Sequence, residues 1–179
     1  MIRTNKEIRT ELLRKRWKLS NDEKKILDRK IFNLLIKEFE KCKNDKFIGM
    51  YWPIENEVDT IEPIKWLLKH KYRVCIPKIK DNSMYFTEIT STDFEFECWH
   101  SMKQTKHNNV VYPANIQLII VPMIGFNKEK YRMGYGLNWY NNFLKFNPIP
   151  TVGIAYQFQQ TQEILLTEKD IKLDKIITE

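Results

Sequence analysis

Leu118-Ile119-Ile120-Val121-Pro122 decides how the rest of this chain is read. Four consecutive apolar residues closed by proline suit a strand buried on both faces, because a strand with one wet face would alternate polar with apolar positions. Such strands belong to open α/β sheets, whose ligand crevice lies beyond the carboxyl ends of the strands. Chemistry is therefore expected just after Pro122. The chain soon supplies Arg132-Met133-Gly134-Tyr135-Gly136-Leu137-Asn138-Trp139-Tyr140, a cation with two glycines and several aromatics. Glycines let the backbone approach a ligand and aim N–H groups at an anion, and a helix beginning near Trp139 adds its positive end. A phosphate is the expected guest, although an arginine and two glycines taken bare also fit a tight turn with a surface ion pair. No Gly-Lys-Ser/Thr follows and no third glycine completes a dinucleotide fingerprint, so neither a Walker loop nor an ordinary Rossmann site is indicated.

Working outward, Ile8, Leu12, Leu13 and Trp17 recur at helical spacing among Lys6, Arg9, Arg14, Lys15, Arg16 and Lys18, which reads as an amphipathic basic helix. Ser20 with Glu23 fits a capping box, and Leu27, Ile31, Leu34, Leu35 and Phe39 mark the buried stripe of a second helix. The two are expected as a helical hairpin against a sheet. Residues 47–52 read as a strand, 61–68 as a helix behind Asp59 and Thr60, and 73–76 as a strand ended by Pro77, together a β-α-β unit. Further strands are expected at 84–89, 151–156 and 175–178, while residues 90–109 give the weakest signal. Strands alternating with helices imply a single-domain three-layer α/β/α sandwich over residues 1–179, with a largely parallel central sheet.

With 179 residues and 42% hydrophobic residues, the chain can bury a substantial core. The net charge of +7 is spread along the sequence, since lysines and glutamates intermingle; it favours a polyanionic small molecule at least as well as nucleic acid. RNA binding by the basic first helix remains open as an alternative, marked by steep weakening with salt. Cys42, Cys75 and Cys98 are odd in number and widely spaced, which argues for reduced thiols rather than disulfides or zinc. His70, His100 and His107 show no ligand spacing and read as structural or surface residues. The first residues, Met1-Ile2-Arg3-Thr4-Asn5-Lys6, lack the apolar stretch of a secretory signal and no run of roughly 20 apolar residues occurs, so the cytoplasm is the expected compartment, with no membrane attachment expected.

Separated segments, agreeing in order and spacing, resemble the 5-formyltetrahydrofolate cyclo-ligase family, also called methenyltetrahydrofolate synthetase. They are residues 6–20; Tyr51-Trp52-Pro53 with Glu57 and Thr60; Val121-Pro122 through Gly125-Phe126-Asn127; residues 131–140; Gly153-Ile154-Ala155-Tyr156 with Gln159; and residues 170–174. The resemblance implies an ATP- and Mg2+-dependent ring closure of 5-formyltetrahydrofolate to 5,10-methenyltetrahydrofolate, releasing ADP and phosphate; a monomer is the expected form. It implies that Lys6, Arg9, Arg132, Met133, Gly134, Tyr135, Gly136, Leu137, Asn138, Trp139 and Tyr140 hold ATP, with Arg132 and Tyr140 catalytic. Trp52, Glu57, Tyr135, Trp139 and Tyr156 would hold the folate, and Asn141 with Asp170 the metal. Each residue has a plainer role when taken alone: Arg9 as part of a solvated basic face, Glu57 in a turn, Trp52 in the core, Asp170 in a loop.

The chain departs from the family pattern Gly-x-Gly-x-Gly-Tyr-Tyr-Asp by carrying Asn138 for the third glycine and Asn141 for the aspartate. An amide lacks the charge that holds a hard cation, whereas asparagine tolerates a positive φ. The family lysine four residues before Arg9 is Asn5, and Lys6 lies one step on, roughly 100° around the helix. A second reading follows: a degenerate member that binds folate or nucleotide with little turnover.

Overall fold

Capping chemistry sets the first two elements in a computed structural model that describes residues 3–179. Thr4 and Glu7 close a capping box on helix α1 (Asn5–Trp17), and Ser20 and Glu23 close the expected one on α2 (Asn21–Phe39). There follow β1 (Phe47–Gly49), α3 (Ile61–Lys69), β2 (Arg73–Lys80), β3 (Ser83–Ile89), β4 (Phe96–Trp99), β5 (Met102–Thr105) and β6 (Val110–Val111). The chain continues through β7 (Ile116–Pro122), β8 (Gly125–Phe126), β9 (Arg132–Met133), α4 (Trp139–Phe146), β10 (Thr151–Ile154) and β11 (Lys175–Ile177). The main sheet runs β11-β10-β7-β1-β2-β3-β6. Pairings from β11 to β2 are all parallel; β3 and β6 join antiparallel at one side.

Alternation along the strands sorts the core into two layers, as expected for a three-layer sandwich. Ile48, Val74, Ile76, Leu118, Ile120, Val152 and Ile154 share one cluster with Ile31, Leu35 and Phe39 of α2 and Ile64 and Leu67 of α3. Phe47, Cys75, Ile119 and Val121 point the other way, into a cluster with Tyr140, Phe143 and Leu144 of α4. Central strands are apolar on both faces because each face meets a helix layer.

Several local expectations are corrected. The hairpin pairing of the first two helices is one: α2 covers the sheet, but Ile8 and Leu12 of α1 pack on Ile124 and Met133 beside the β8–β9 ribbon. Trp17 is 56% exposed, and Arg16, one position earlier, is the buried residue. Leu34 also faces outward on α2. The first strand stops at Gly49, and α3 is capped by Asp59, whose carboxylate accepts from the N–H groups of Ile61 and Glu62 while Thr60 turns its hydroxyl to the Tyr51 carbonyl. Pro77 does not end β2, because pairing with β1 stops at Cys75 and the N–H that proline lacks would face an edge already left open. Farther along that edge, Gln104 serves both backbone groups of Ile79.

Candidate active site

The sheet order reverses at β1 and β7: the chain leaves β1 toward β2 but leaves β7 toward β10 and β11. A cleft forms beyond the carboxyl ends of strands at such a switch point. A cavity of about 420 Å³ lies there, walled by Tyr51 and Trp52 after β1, Pro77 and Ile79 of β2, and Pro122 and Met123 at the end of β7. Residues 132–141 form the facing wall, and Asn5 and Arg9 of α1 close one side.

The amino-terminal cation and the glycine loop meet as the resemblance requires: Arg9 Nε donates to the Gly134 carbonyl at 2.9 Å. Arg132 is buried, and its Nη2 donates to Asn141 Oδ1 at 3.1 Å and its Nη1 to the Pro122 carbonyl at 3.4 Å. The guanidinium lies 5.3 Å from the Tyr140 ring centroid. Burial lowers its proton affinity, and Tyr140 and Asp170 nearby oppose that shift. A Cβ on Gly134 would sit 2.6 Å from Arg132 Nη1, so a side chain there makes the guanidinium shift. Asn138 starts α4 with φ of 56°, the left-handed geometry that asparagine accepts in place of glycine. Arg132 Nε, Trp139 Nε1 and the Tyr140 hydroxyl are buried without partners among the described residues. Buried donors are normally paired, so three unpartnered ones leave this wall able to donate to acceptors of a bound molecule.

Across the cavity, Glu57 is buried and accepts from the Ile54 N–H at 3.0 Å. Burial pushes its carboxyl up to about 7, although the Ile54 N–H and the charge of Arg16 pull the other way. Arg16 Nη2 donates to the Tyr135 hydroxyl at 2.8 Å, and that hydroxyl donates to Glu55 Oε2 at 3.2 Å. One phenol thus ties the glycine loop to the loop that bears Glu57. Sequence reasoning missed Arg16, because a cation one step off an apolar stripe looks like surface charge. It also missed the tip of the β4–β5 hairpin, where Trp99 meets Trp139 edge to face at 5.5 Å and His100 lines the cavity rather than only the surface.

Of the residues expected at the site, Arg9, Trp52, Glu57, Arg132, Met133, Gly134, Tyr135, Gly136, Leu137, Asn138, Trp139, Tyr140, Asn141 and Asp170 all line this cavity. Two lie elsewhere. Lys6 is exposed, and Asn5 takes the wall position in its place. Tyr156 is wholly buried in the core, where its hydroxyl donates to Asp28 Oδ1 at 2.7 Å. The Asn141 oxygen faces the Arg132 guanidinium, whose charge opposes a metal ion at that atom, so Asn141 does not suit the ligand role. No group of three or more His, Cys, Asp or Glu able to hold a metal occurs among the described residues.

A family model for the 5-formyltetrahydrofolate cyclo-ligase family matches residues 1–179. A 5-formyltetrahydrofolate cyclo-ligase of Mycoplasma pneumoniae is 32% identical over 176 residues, covering 96% of both chains. One of Mus musculus is 25% identical over 153 residues, 76% of this chain and 75% of that one. Among solved structures, a 5,10-methenyltetrahydrofolate synthetase of Mycoplasma pneumoniae superposes with TM-score 0.80 at 30% identity, covering 98% of this chain and 99% of that one. The corresponding Aquifex aeolicus synthetase gives TM-score 0.82 at 28% identity, over 96% and 88%. By the full span of that match, and by a cavity whose walls carry the motifs singled out above, this chain belongs to the 5-formyltetrahydrofolate cyclo-ligase family.

Proposed function

We propose that this chain, one domain over residues 1–179, closes 5-formyltetrahydrofolate to 5,10-methenyltetrahydrofolate with ATP, releasing ADP and phosphate. The observation that carries the reading is the meeting of Arg9 and Arg132 on the glycine loop, across the cavity from Glu57. The formyl oxygen is a poor leaving group. Transfer of the γ-phosphoryl group to it creates a good one; N10 then attacks the formyl carbon and gives up its proton to solvent or to the leaving phosphate, the C–O bond breaks, and phosphate departs. Transfer of this kind is mostly positioning and charge stabilisation. Arg132 and Arg9 supply positive charge, residues 134–140 supply backbone and aromatic contacts, and the Tyr140 ring packs near the Arg132 guanidinium. Glu57, ionised, accepts from the N–H groups at the pterin edge, and Trp52, Tyr135 and Trp139 flank the folate.

Asp170 would hold magnesium as a companion of the nucleotide, since it lines the cavity and magnesium sites often take one protein carboxylate plus phosphate oxygens. When bound, the ion neutralises charge on the triphosphate. Two of the α1 cations, Arg9 and Arg16, turn inward and Lys15 pairs with Glu11 at 2.7 Å, which favours a small-molecule anion over nucleic acid. Among the described residues no helix is long and apolar enough to cross a membrane. A cytoplasmic monomer is the form proposed.

Incubation with ATP, magnesium and 5-formyltetrahydrofolate should yield the absorbance of the methenyl product. Folate binding without product would favour the second reading, a member that binds without turnover, for which Asn138 and Asn141 speak.

A further inference from the structure

Residues 161–170 contain no helix or strand, yet Ile164, Leu165, Thr167 and Asp170 wall the cavity beside Arg132. Two asparagines fasten this strap. Asn5 stands one residue inside α1, where Thr4 already provides the cap, so its amide is free for another task. Its Nδ2 donates to the Leu165 carbonyl at 2.7 Å and its Oδ1 accepts from the Leu165 N–H at 2.9 Å, serving both backbone groups of one residue as a neighbouring strand would. Asn141, buried in the first turn of α4, holds the other end: Nδ2 donates to Asp170 Oδ1 at 3.1 Å while Oδ1 accepts from Arg132. Charge dictates that orientation. A flipped amide would set N–H groups against a guanidinium and an oxygen against a carboxylate. Asp170 Oδ2 is engaged by the N–H and hydroxyl of Thr167, so the strap end is pinned on both oxygens.

We propose that Asn5 and Asn141 are positioning residues, a pair of amide clasps that hold residues 161–170 closed over the phosphate end of the cavity and act on ligand only through Leu165, Asp170 and Arg132. The assignment of that end to phosphate rests on the function proposed above; the clasps themselves do not. Smaller contacts, the Thr161 N–H on the Phe126 carbonyl and an exposed Arg3–Glu163 pair, lie toward the start of the strap and leave Asp170 to Asn141.

Hydrogen exchange of the ligand-free protein tests the clasps directly. In Asn5→Ala and in Asn141→Ala, amides of residues 161–170 should exchange about tenfold faster, with those of the central sheet unchanged. Calorimetric titration with MgATP should show affinity about tenfold lower in each variant. Asn5→Lys and Asn141→Asp restore the family charges, yet they break the clasps and should tighten neither MgATP nor free Mn2+. Unchanged strap exchange in Asn5→Ala, a half-buried site that tolerates alanine, overturns the proposal even if the Asn141 variants fail to fold. So does tighter MgATP or Mn2+ binding in a charge variant whose strap stays protected. A wild-type protein that bound no MgATP would sink the nucleotide reading, while strap exchange would still judge the clasps.

Discussion

Glu57 is a carboxylate whose ordinary pKa of 4.5 rises to about 7 because it is buried. The folded protein therefore holds this proton more tightly than the unfolded chain, so any stability linked to it is full below about 4.5 and is lost as pH rises through about 7. The span corresponds to on the order of 3 kcal/mol. Urea midpoints should fall between about pH 5 and 8, and Glu57→Gln should flatten that slope. Function runs the other way: the folate KM should fall as pH rises through about 7 and the carboxylate ionises, whereas the glutamine variant should bind weakly with no such dependence. At Gly134, an alanine would strike Arg132 Nη1 and displace a buried guanidinium, so Gly134→Ala should lower kcat about 100-fold with the fold intact by circular dichroism. The glycines and Arg132 were legible because their types announce close approach and charge. Arg16 and the true place of Tyr156 were not, since a buried cation and a core phenol each depend on partners more than a hundred residues away.

Between residue and molecule stands the β4–β5 hairpin, whose outer surface is largely exposed and whose base is fixed by polar groups. Lys78 is 3% exposed; its Nζ donates to the carbonyls of Thr105, Lys106 and His107 and meets Glu97 at 3.1 Å. Gln104 adds its pair of bonds to Ile79. Lys78→Met should keep the volume but orphan those carbonyls, lowering unfolding free energy by about 2 kcal/mol in urea. It should also loosen the Trp99–Trp139 contact, read as a change in tryptophan emission. No periodic pattern marks residues 90–109, because this hairpin is held by a buried lysine and a glutamine rather than by an apolar stripe. Six of the seven strands of the main sheet, all but the short β6, were by contrast plain from their sequence, and α2 from its capping box. Strand ends were harder: Pro77 stops a strand only where an N–H would be needed.

At the scale of the whole molecule, the site gathers α1, the β1 and β7 ends, residues 132–141 and a strap near the carboxyl terminus. A ligand there braces segments drawn from nearly the full length of the chain. MgATP at about 100 times its Kd should stabilise the fold by about 2.7 kcal/mol, raising Tm by roughly 5–10 °C for a chain of this size, and Arg132→Leu should abolish the rise. The parallel order of the sheet followed from one buried run and its neighbours. The antiparallel flank did not, because β3 alternates no differently whichever way it pairs. The sheet's two rims bear on behaviour in crowded solution. One is β6 with two residues and the other β11 with three. So brief a border offers a passing molecule too few open amides to zip onto, and concentrated samples should resist seeding into fibrils that grow by strand addition.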